Sequence, residues 1–369
     1  MNTTDYLFPN RLTRRDFLKL GGAVVAAGVA PTGIGAEDKV PVRLGSGHFT
    51  YTLDENWGRL PAGMQYGLGC GVVCDSQDRV YVTSRSASPC VAVFERDGKL
   101  LETWSKDFGD RIGYTPQQVA GTAHCVYWSK EGKHEFLYFT ENVAGGGKDK
   151  DGKALPALGK RVYKTDLHGR VLYTIGNVEK PGSTAQKFDW TNPTDVAVAP
   201  NGDIYVVDGY GSQRVSRFDK NWKHLKTIGA PGKGRGQFST CHGVWVNTIK
   251  AEPEVYIADR ANRRYEVYSL ELEYKRTIEG DFVRNPCCFY QHKDHLYIPD
   301  LAAMVTIIDG SDKPAARLGD GAKVPKEQKG TRPEFIAPHA LCVDSQGSLY
   351  VVEWVGNGRV RKFKHTPQA

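Results

Sequence analysis

The chain has 369 residues, of which 40% are hydrophobic and 25% are charged, and its formal net charge is +7. This apolar fraction is sufficient to bury a core between packed sheets. The charge is mild and no run or stripe of lysine and arginine is present, so the composition argues against a nucleic-acid partner.

The first 36 residues predict an export signal. Paired Arg14 and Arg15 precede a short apolar stretch over residues 21–30, and small residues follow up to Ala36. This pattern resembles a twin-arginine export signal, and the apolar stretch is too short to span a bilayer comfortably. We therefore predict export by the twin-arginine machinery to the periplasm or the extracellular space, with no stable membrane span after the signal is removed. An uncleaved N-terminal membrane anchor is the alternative.

Residues 37–369 are predicted to form one domain built from six repeated units. The clearest unit, residues 193–229, contains four short strands: DVAVA, IYVVD, RVSRFD and HLKTIG. Alternating apolar and polar positions with turn residues between the runs indicate antiparallel strands, and four such strands form one propeller blade. The other five units cover residues 71–104, 124–176, 242–278, 287–318 and 339–363. The predicted fold is therefore all-β, a six-bladed β-propeller with four-stranded antiparallel blades around a central channel.

The sixth unit lacks an outermost strand. We predict that residues 40–55 supply this strand and close the ring, because closure removes open sheet edges. Helical periodicity is nearly absent beyond the first 30 residues, so no further helices are predicted.

Three histidines occupy the same position in alternate units: His124, His242 and His339. Alternate blades of a six-fold ring are related by a three-fold axis, so these imidazoles are predicted to converge near the mouth of the channel. Three nitrogen ligands with an open fourth position are typical of a catalytic zinc site. Iron and copper also suit imidazole ligands, so the identity of the metal stays open. Three separate channel-lining histidines bonded to water are the alternative interpretation.

Three further polar residues are predicted near the channel mouth. Arg85, Tyr210 and Arg260 each lie where a strand ends in a bend. Arginine binds carboxylates with a two-pronged geometry, and a tyrosine beside zinc and arginine can have a lowered pKa and act as a base. Considered singly, each residue is better explained by a structural role in the bend. Together with the histidines they favour a site for a small anionic substrate.

The chain contains eight cysteines, and export favours disulfides. The best candidates are Cys70, Cys74 and Cys90 in the first unit. The other five lie on predicted innermost strands, where buried cysteine commonly serves as a small apolar residue. A cysteine thiolate that joins the metal site is the less favoured alternative.

The sequence resembles the peptidyl-α-hydroxyglycine α-amidating lyases, which are six-bladed propellers of the NHL-repeat class. The resemblance is closest over residues 193–219, 236–269 and 337–354. It implies that His124, His242 and His339 hold zinc, that Tyr210 is the catalytic tyrosine, and that Arg85 and Arg260 are active-site arginines. The reaction it implies splits a carbinolamide into an amide and glyoxylate.

The chain also departs from this family. Ala340 stands where the family has an aspartate that helps to bind a structural calcium, which argues against calcium here. The two disulfides of the animal enzymes lack their cysteines. We therefore expect this chain to share the metal site and the general chemistry of the family more closely than its substrate. The expected substrate is a small molecule or peptide with a carboxylate. A non-catalytic NHL binding module and a lactonase-like propeller hydrolase are the alternative functions.

Overall fold

A computed structural model describes residues 41–148, 150–321, 324 and 332–368. The predicted export signal lies outside these residues. The described part begins with two short strands, β1 (Arg43–Leu44) and β2 (Tyr51–Asp54), separated by one turn of 3-10 helix (Gly47–Phe49). Six sheets are present in this part of the chain, so the predicted six-bladed β-propeller is confirmed.

The blades follow one another along the chain, and the first strand of each blade lies innermost. Blade 1 consists of β3 (Gly69–Cys74), β4 (Val80–Ser84), β5 (Val91–Phe94) and β6 (Leu100–Trp104). Blade 2 consists of β7 (Ala123–Glu131), β8 (His134–Glu141), β9 (Arg161–Thr165), β10 (Val171–Gly176) and β11 (Ala185–Lys187). Blade 3 consists of β12 (Asp195–Val198), β13 (Ile204–Asp208), β14 (Arg214–Phe218) and β15 (His224–Ile228).

The second half of the ring repeats this arrangement. Blade 4 consists of β16 (Cys241–Asn247), β17 (Glu254–Asp259), β18 (Arg264–Tyr268) and β19 (Tyr274–Glu279). Blade 5 consists of β20 (Tyr290–His292), β21 (His295–Asp300), β22 (Met304–Ile308) and β23 (Pro314–Gly319). Blade 6 combines β24 (Pro338–Val343), β25 (Leu349–Glu353) and β26 (Arg361–His365) with β2 and β1.

The ring closes as the sequence predicts. Strand β2 pairs antiparallel with β26, so that Tyr51 lies opposite His365 and Asp54 lies opposite Lys362. The N-terminal segment thereby covers the hydrogen-bonding edge that β26 would otherwise expose, and joins the two ends of the described chain in one sheet.

The strands at the centre of each blade are apolar on both faces because neighbouring blades cover both faces. In β13, Ile204 and Val206 pack toward blade 2, whereas Tyr205 and Val207 pack toward blade 4. All four side chains are at most 1% exposed. The inner ends of the blades are therefore held by close packing from both sides, which fixes the positions of side chains that face the channel.

Two short helices between blades 1 and 2 were not predicted: α1 (Lys106–Ile112) and α2 (Pro116–Thr122). Thr115 caps α2 in a capping box with Gln118, and Pro116 occupies the first turn. The sequence TPQQ carries this local signal, which the strand-dominated periodicity of the chain obscured.

Candidate metal centre and surrounding site

The three predicted metal ligands occupy equivalent positions on three innermost strands. His124, His242 and His339 are each the second residue of their strand. In each strand the pairing with the next strand skips the histidine, which leaves it as the extra residue of a β-bulge. The skipped positions lie between Ala123 and Cys125, between Cys241 and Gly243, and between Pro338 and Ala340. A bulge redirects a side chain out of the pleated pattern, and here it directs each imidazole to the channel axis.

The imidazoles converge on one point. The ring centroids are separated by 4.8 Å between His124 and His242, 5.2 Å between His124 and His339, and 5.0 Å between His242 and His339. One nitrogen from each ring lies within 4.8 Å of the others, and all three residues are buried. This geometry can hold one metal ion, whereas histidines lining separate parts of the channel would lie farther apart.

Each histidine is oriented by a backbone carbonyl of the next blade. The three Nδ1 atoms contact the carbonyl oxygens of Thr194 (2.6 Å from His124), Cys287 (2.8 Å from His242) and Cys70 (2.7 Å from His339). A carbonyl oxygen can only accept, so Nδ1 carries the proton and donates it, and Nε2 presents its lone pair to the axis. Metal-binding histidines are typically fixed by such a second hydrogen bond.

Two of the three axial nitrogen atoms have no partner among the described residues. The Nε2 atoms of His124 and His339 are buried without a hydrogen bond, whereas Nε2 of His242 lies 3.0 Å from the hydroxyl oxygen of Tyr210. Buried polar atoms without partners are rare and costly. The donor set therefore fits a bound metal ion, which would satisfy both atoms at once.

The surroundings keep the imidazoles neutral. Burial lowers the pKa of His339 to about 3 and lowers the pKa values of His124 and His242 well below the usual range. Arg260 lowers the pKa of all three histidines, and Arg85 lowers those of His124 and His339. Neutral imidazole is the form that binds metal.

The acidic residues that follow each histidine are structural. Glu141, Asp259 and Glu353 each pair with an arginine of the adjacent strand. Asp259 and Glu353 also accept backbone N–H groups from the loops that lead into His242 and His339. Asp259 and Glu353 therefore hold the loops that carry His242 and His339, and the described metal-ligand cluster contains only the three histidines.

Tyr210 and Arg260 lie directly beside the histidines. Arg260 Nη2 donates to the Tyr210 hydroxyl oxygen at 3.1 Å, and the Tyr210 side chain is 37% exposed. Burial raises the pKa of Tyr210, although the charge of Arg260 opposes this shift. The protein groups alone therefore do not lower this pKa, and the lowering that the sequence predicts requires a metal ion beside the tyrosine as well as the arginine.

Arg85 approaches the site from blade 1 and is held by three neighbours. Its Nη2 atom donates to the side-chain oxygen of Asn142 at 3.0 Å, and its Nε atom donates to the carbonyl of Ala123 at 3.3 Å. Its guanidinium group lies 5.0 Å from the ring centroid of Trp354. The Trp354 ring also stacks on His339 at 4.8 Å. Trp354 thus connects a predicted metal ligand with a predicted substrate-binding arginine.

Asn142 and Trp354 were missed in the sequence although a signal for them exists. Arg260 immediately follows the acidic residue at the end of its strand, and Asn142 and Trp354 follow Glu141 and Glu353 in the same way. The same position in alternate blades therefore supplies groups that surround the histidines.

Comparisons with known proteins agree with this architecture. A family model described as a 6-bladed beta-propeller matches residues 183–304, and an NHL repeat model matches residues 335–363. The chain is a six-bladed β-propeller whose last blade matches the NHL repeat. A twin-arginine translocation signal model matches residues 11–31, so the propeller is exported across the membrane. Among the described residues, no helix combines the length and the apolar character needed to cross a bilayer.

The propeller is homologous to amidating lyases and to other NHL proteins. It is 25% identical over 325 residues to human NHL repeat-containing protein 3, which covers 85% of this chain and 84% of that protein. It is 26% identical over 195 residues to a probable peptidyl-α-hydroxyglycine α-amidating lyase of Caenorhabditis elegans, covering 52% of this chain and 45% of the relative. A second amidating lyase, from Drosophila melanogaster, is 29% identical over 188 residues, covering 49% and 44%.

Solved structures support the fold alone. A streptogramin B lyase superposes with a TM-score of 0.52 at 12% sequence identity, covering 86% of this chain and 98% of that one. The candidate site is thus supported by its own geometry.

Proposed function

We propose that this protein is a metal-dependent lyase that cleaves the carbon–nitrogen bond of a carbinolamide next to a carboxylate, with glyoxylate or a similar aldehyde acid as one product. The observation that carries the proposal is the pair of buried, unpartnered Nε2 atoms on His124 and His339, which face the same point as Nε2 of His242. The homology to amidating lyases supports the same chemistry.

In this proposal His124, His242 and His339 hold the metal, with zinc as the expected ion. A bound zinc ion supplies Lewis acidity and lowers the pKa of a hydroxyl group that approaches it. Because all three Nδ1 protons are committed to backbone carbonyls, the imidazoles act as neutral ligands and do not take part in proton transfer.

Tyr210 is the proposed base. Its hydroxyl oxygen contacts Nε2 of His242 and receives a hydrogen bond from Arg260, so it lies between the candidate metal centre and a fixed positive charge. Arg260 stabilises the phenolate form and opposes the larger effect of burial, which raises the pKa of Tyr210. Tyr210 accepts the proton of the substrate hydroxyl as the carbon–nitrogen bond breaks, and this proton passes to the leaving amide nitrogen.

Arg85 is the proposed partner of the substrate carboxylate. Hydrogen bonds to Asn142 and Ala123 occupy two of its donors, and the guanidinium group keeps further donors for an anion. Trp354 and Asn142 act as positioning residues, because they contact Arg85 and hold its orientation before substrate binds.

A non-catalytic binding module is the second candidate. It is favoured by the long alignment to NHL repeat-containing protein 3, which spans far more of this chain than the alignments to the lyases. A binding module has no need for a tyrosine base beside an open ligand position, so turnover separates the two functions.

The test is product analysis with the zinc-loaded, exported protein. A peptide capped with α-hydroxyglycine is incubated with the protein, and glyoxylate and the peptide amide are quantified together. The proposal expects equal amounts of both products at a rate that far exceeds the spontaneous reaction. A zinc-replete protein that binds the peptide without releasing glyoxylate would contradict the lyase and support the binding module.

A further inference from the structure

Two cysteines from opposite ends of the chain meet inside the propeller. Cys74 ends β3 of blade 1, and Cys342 lies in β24 of blade 6, 268 residues later. Their sulfur atoms are 3.0 Å apart, and both side chains are at most 4% exposed. A disulfide bond is about 2.0 Å long, so the two sulfur atoms would have to approach by about 1 Å to form a covalent bond.

This contact distinguishes Cys74 and Cys342 from the other cysteines. Each of the other six thiols lies within hydrogen-bonding distance of a backbone carbonyl oxygen: Cys70, Cys90, Cys125, Cys241, Cys287 and Cys288. Cys70 and Cys90 were also disulfide candidates from the sequence, and both are free thiols in this structure. Only Cys74, of the three sequence candidates, faces a second thiol, and that thiol belongs to a different blade.

The contact lies where the ring closes. Within blade 6, β2 and β26 are joined by backbone hydrogen bonds. At the seam between blades 6 and 1, β24 and β3 belong to separate sheets and are held by packed apolar side chains such as Val72 and Ala340. A cross-link between these two strands would therefore add a covalent bond to a seam that otherwise depends on packing.

We propose that Cys74 and Cys342 form a disulfide after export, which covalently joins the first and last blades. Exported proteins enter compartments in which disulfides form and persist, and the chain carries a twin-arginine signal. One thiol loses its proton and attacks a disulfide of an exported oxidant, such as a thiol oxidase or a small disulfide compound. The second thiolate resolves the mixed disulfide. The two protons and two electrons that the cysteines lose pass to the oxidant, whose disulfide is reduced to two thiols.

Burial controls the rate of this step. Burial raises the pKa of both thiols, and the thiolate is the reactive form. The oxidant must therefore reach the cysteines during a transient opening of the seam between blades 1 and 6. A protein that folds in the reducing cytoplasm is expected to arrive with both thiols reduced and to become oxidised only after export.

Thiol counting tests the proposal with the full chain. The exported protein is compared with Arg14→Lys/Arg15→Lys, which blocks export and keeps the chain in the cytoplasm. Both are denatured without reductant and alkylated, and the intact mass is measured. The retained protein should show all eight cysteines alkylated, and the exported protein should show two fewer, with one cross-linked peptide containing Cys74 and Cys342. Full alkylation of the exported protein, or a cross-link between other cysteines, would overturn the proposal.

Thermal unfolding provides a second measurement. Reductant should lower the midpoint of the exported protein by roughly 5–10 °C, because the disulfide closes a very long loop. Cys342→Ala should be insensitive to reductant, whereas the control Cys90→Ala, which removes a different buried thiol, should respond like the parent protein. If reductant lowers the midpoint of Cys342→Ala and Cys90→Ala equally, the effect of reductant does not come from a Cys74–Cys342 disulfide.

Discussion

Removal of the metal should measurably destabilise this propeller, and the structure sets the size of the effect. The Nε2 atoms of His124 and His339 are buried without hydrogen-bond partners when no metal is bound. An unsatisfied buried polar group costs about 1–3 kcal/mol, so the two together cost about 2–6 kcal/mol. At about 2 °C for each kcal/mol in a chain of this size, metal binding should raise the unfolding midpoint by about 4–12 °C.

The assay compares chelator-treated protein with the same protein reloaded with zinc, by circular dichroism during heating and by elemental analysis of bound metal. His242→Ala removes one ligand and leaves the fold, so the metal-dependent shift should disappear and bound zinc should fall far below one ion per chain. His134→Ala is the matched control, because His134 is exposed at the start of β8 and lies outside the site.

Two results would contradict the prediction that the three histidines bind one metal ion. One is an identical unfolding midpoint with and without zinc in the parent protein. The other is a His242→Ala protein that keeps a full equivalent of zinc, since the three histidines would then not share one ion.

Three further substitutions test residues around the candidate metal centre and in the core. Tyr210→Phe removes the proposed base and should lower kcat for glyoxylate release by about 10²–10⁴-fold while bound zinc is unchanged. Trp354→Ala removes the ring that supports Arg85 and should raise KM by about 10-fold, since a desolvated cation–π contact contributes about 1–2 kcal/mol. Asp195→Asn should flatten the dependence of stability on pH. Burial raises the pKa of Asp195 to about 7, so its protonated form contributes stability that is lost as pH rises through 7. The urea unfolding free energy of the parent protein, relative to Asp195→Asn, should fall by about 2–3 kcal/mol between pH 5 and pH 8.

Each of these predictions has a control or an opposing outcome. Tyr173→Phe, which changes a tyrosine in blade 2 outside the site, should keep full activity, and Tyr210→Phe with parental kcat would remove Tyr210 from the chemistry. A Trp354→Ala protein that loses kcat with an unchanged KM would show that the tryptophan does not act through substrate binding. Parallel pH profiles for the parent protein and Asp195→Asn would exclude burial of the carboxyl as the source of the pH dependence.

Much of the ring could be predicted because each blade is a local pattern that recurs. Strands such as β13 are short apolar runs bounded by turn residues, and the missing last strand of blade 6 pointed to β2 as its replacement. The positions of His124, His242 and His339 in alternate repeats predicted their convergence. Equivalent positions in symmetry-related blades point to the same axis. The sequence did not predict helix α2 despite its capping signal, because seven residues are too few for a helical periodicity to be recognised among the strand patterns.

The number of blades, the closure of the ring and the three residues that face its axis could be predicted from the sequence, because they follow from periodicity along the chain. The orientation of these residues and the groups that surround them are evident only in the folded protein. The carbonyls of Thr194, Cys287 and Cys70 that fix the histidines come from neighbouring blades, as does the contact between Cys74 and Cys342. Such partners are separated by tens to hundreds of residues, and their pairing depends on how sheets pack against each other rather than on any local pattern.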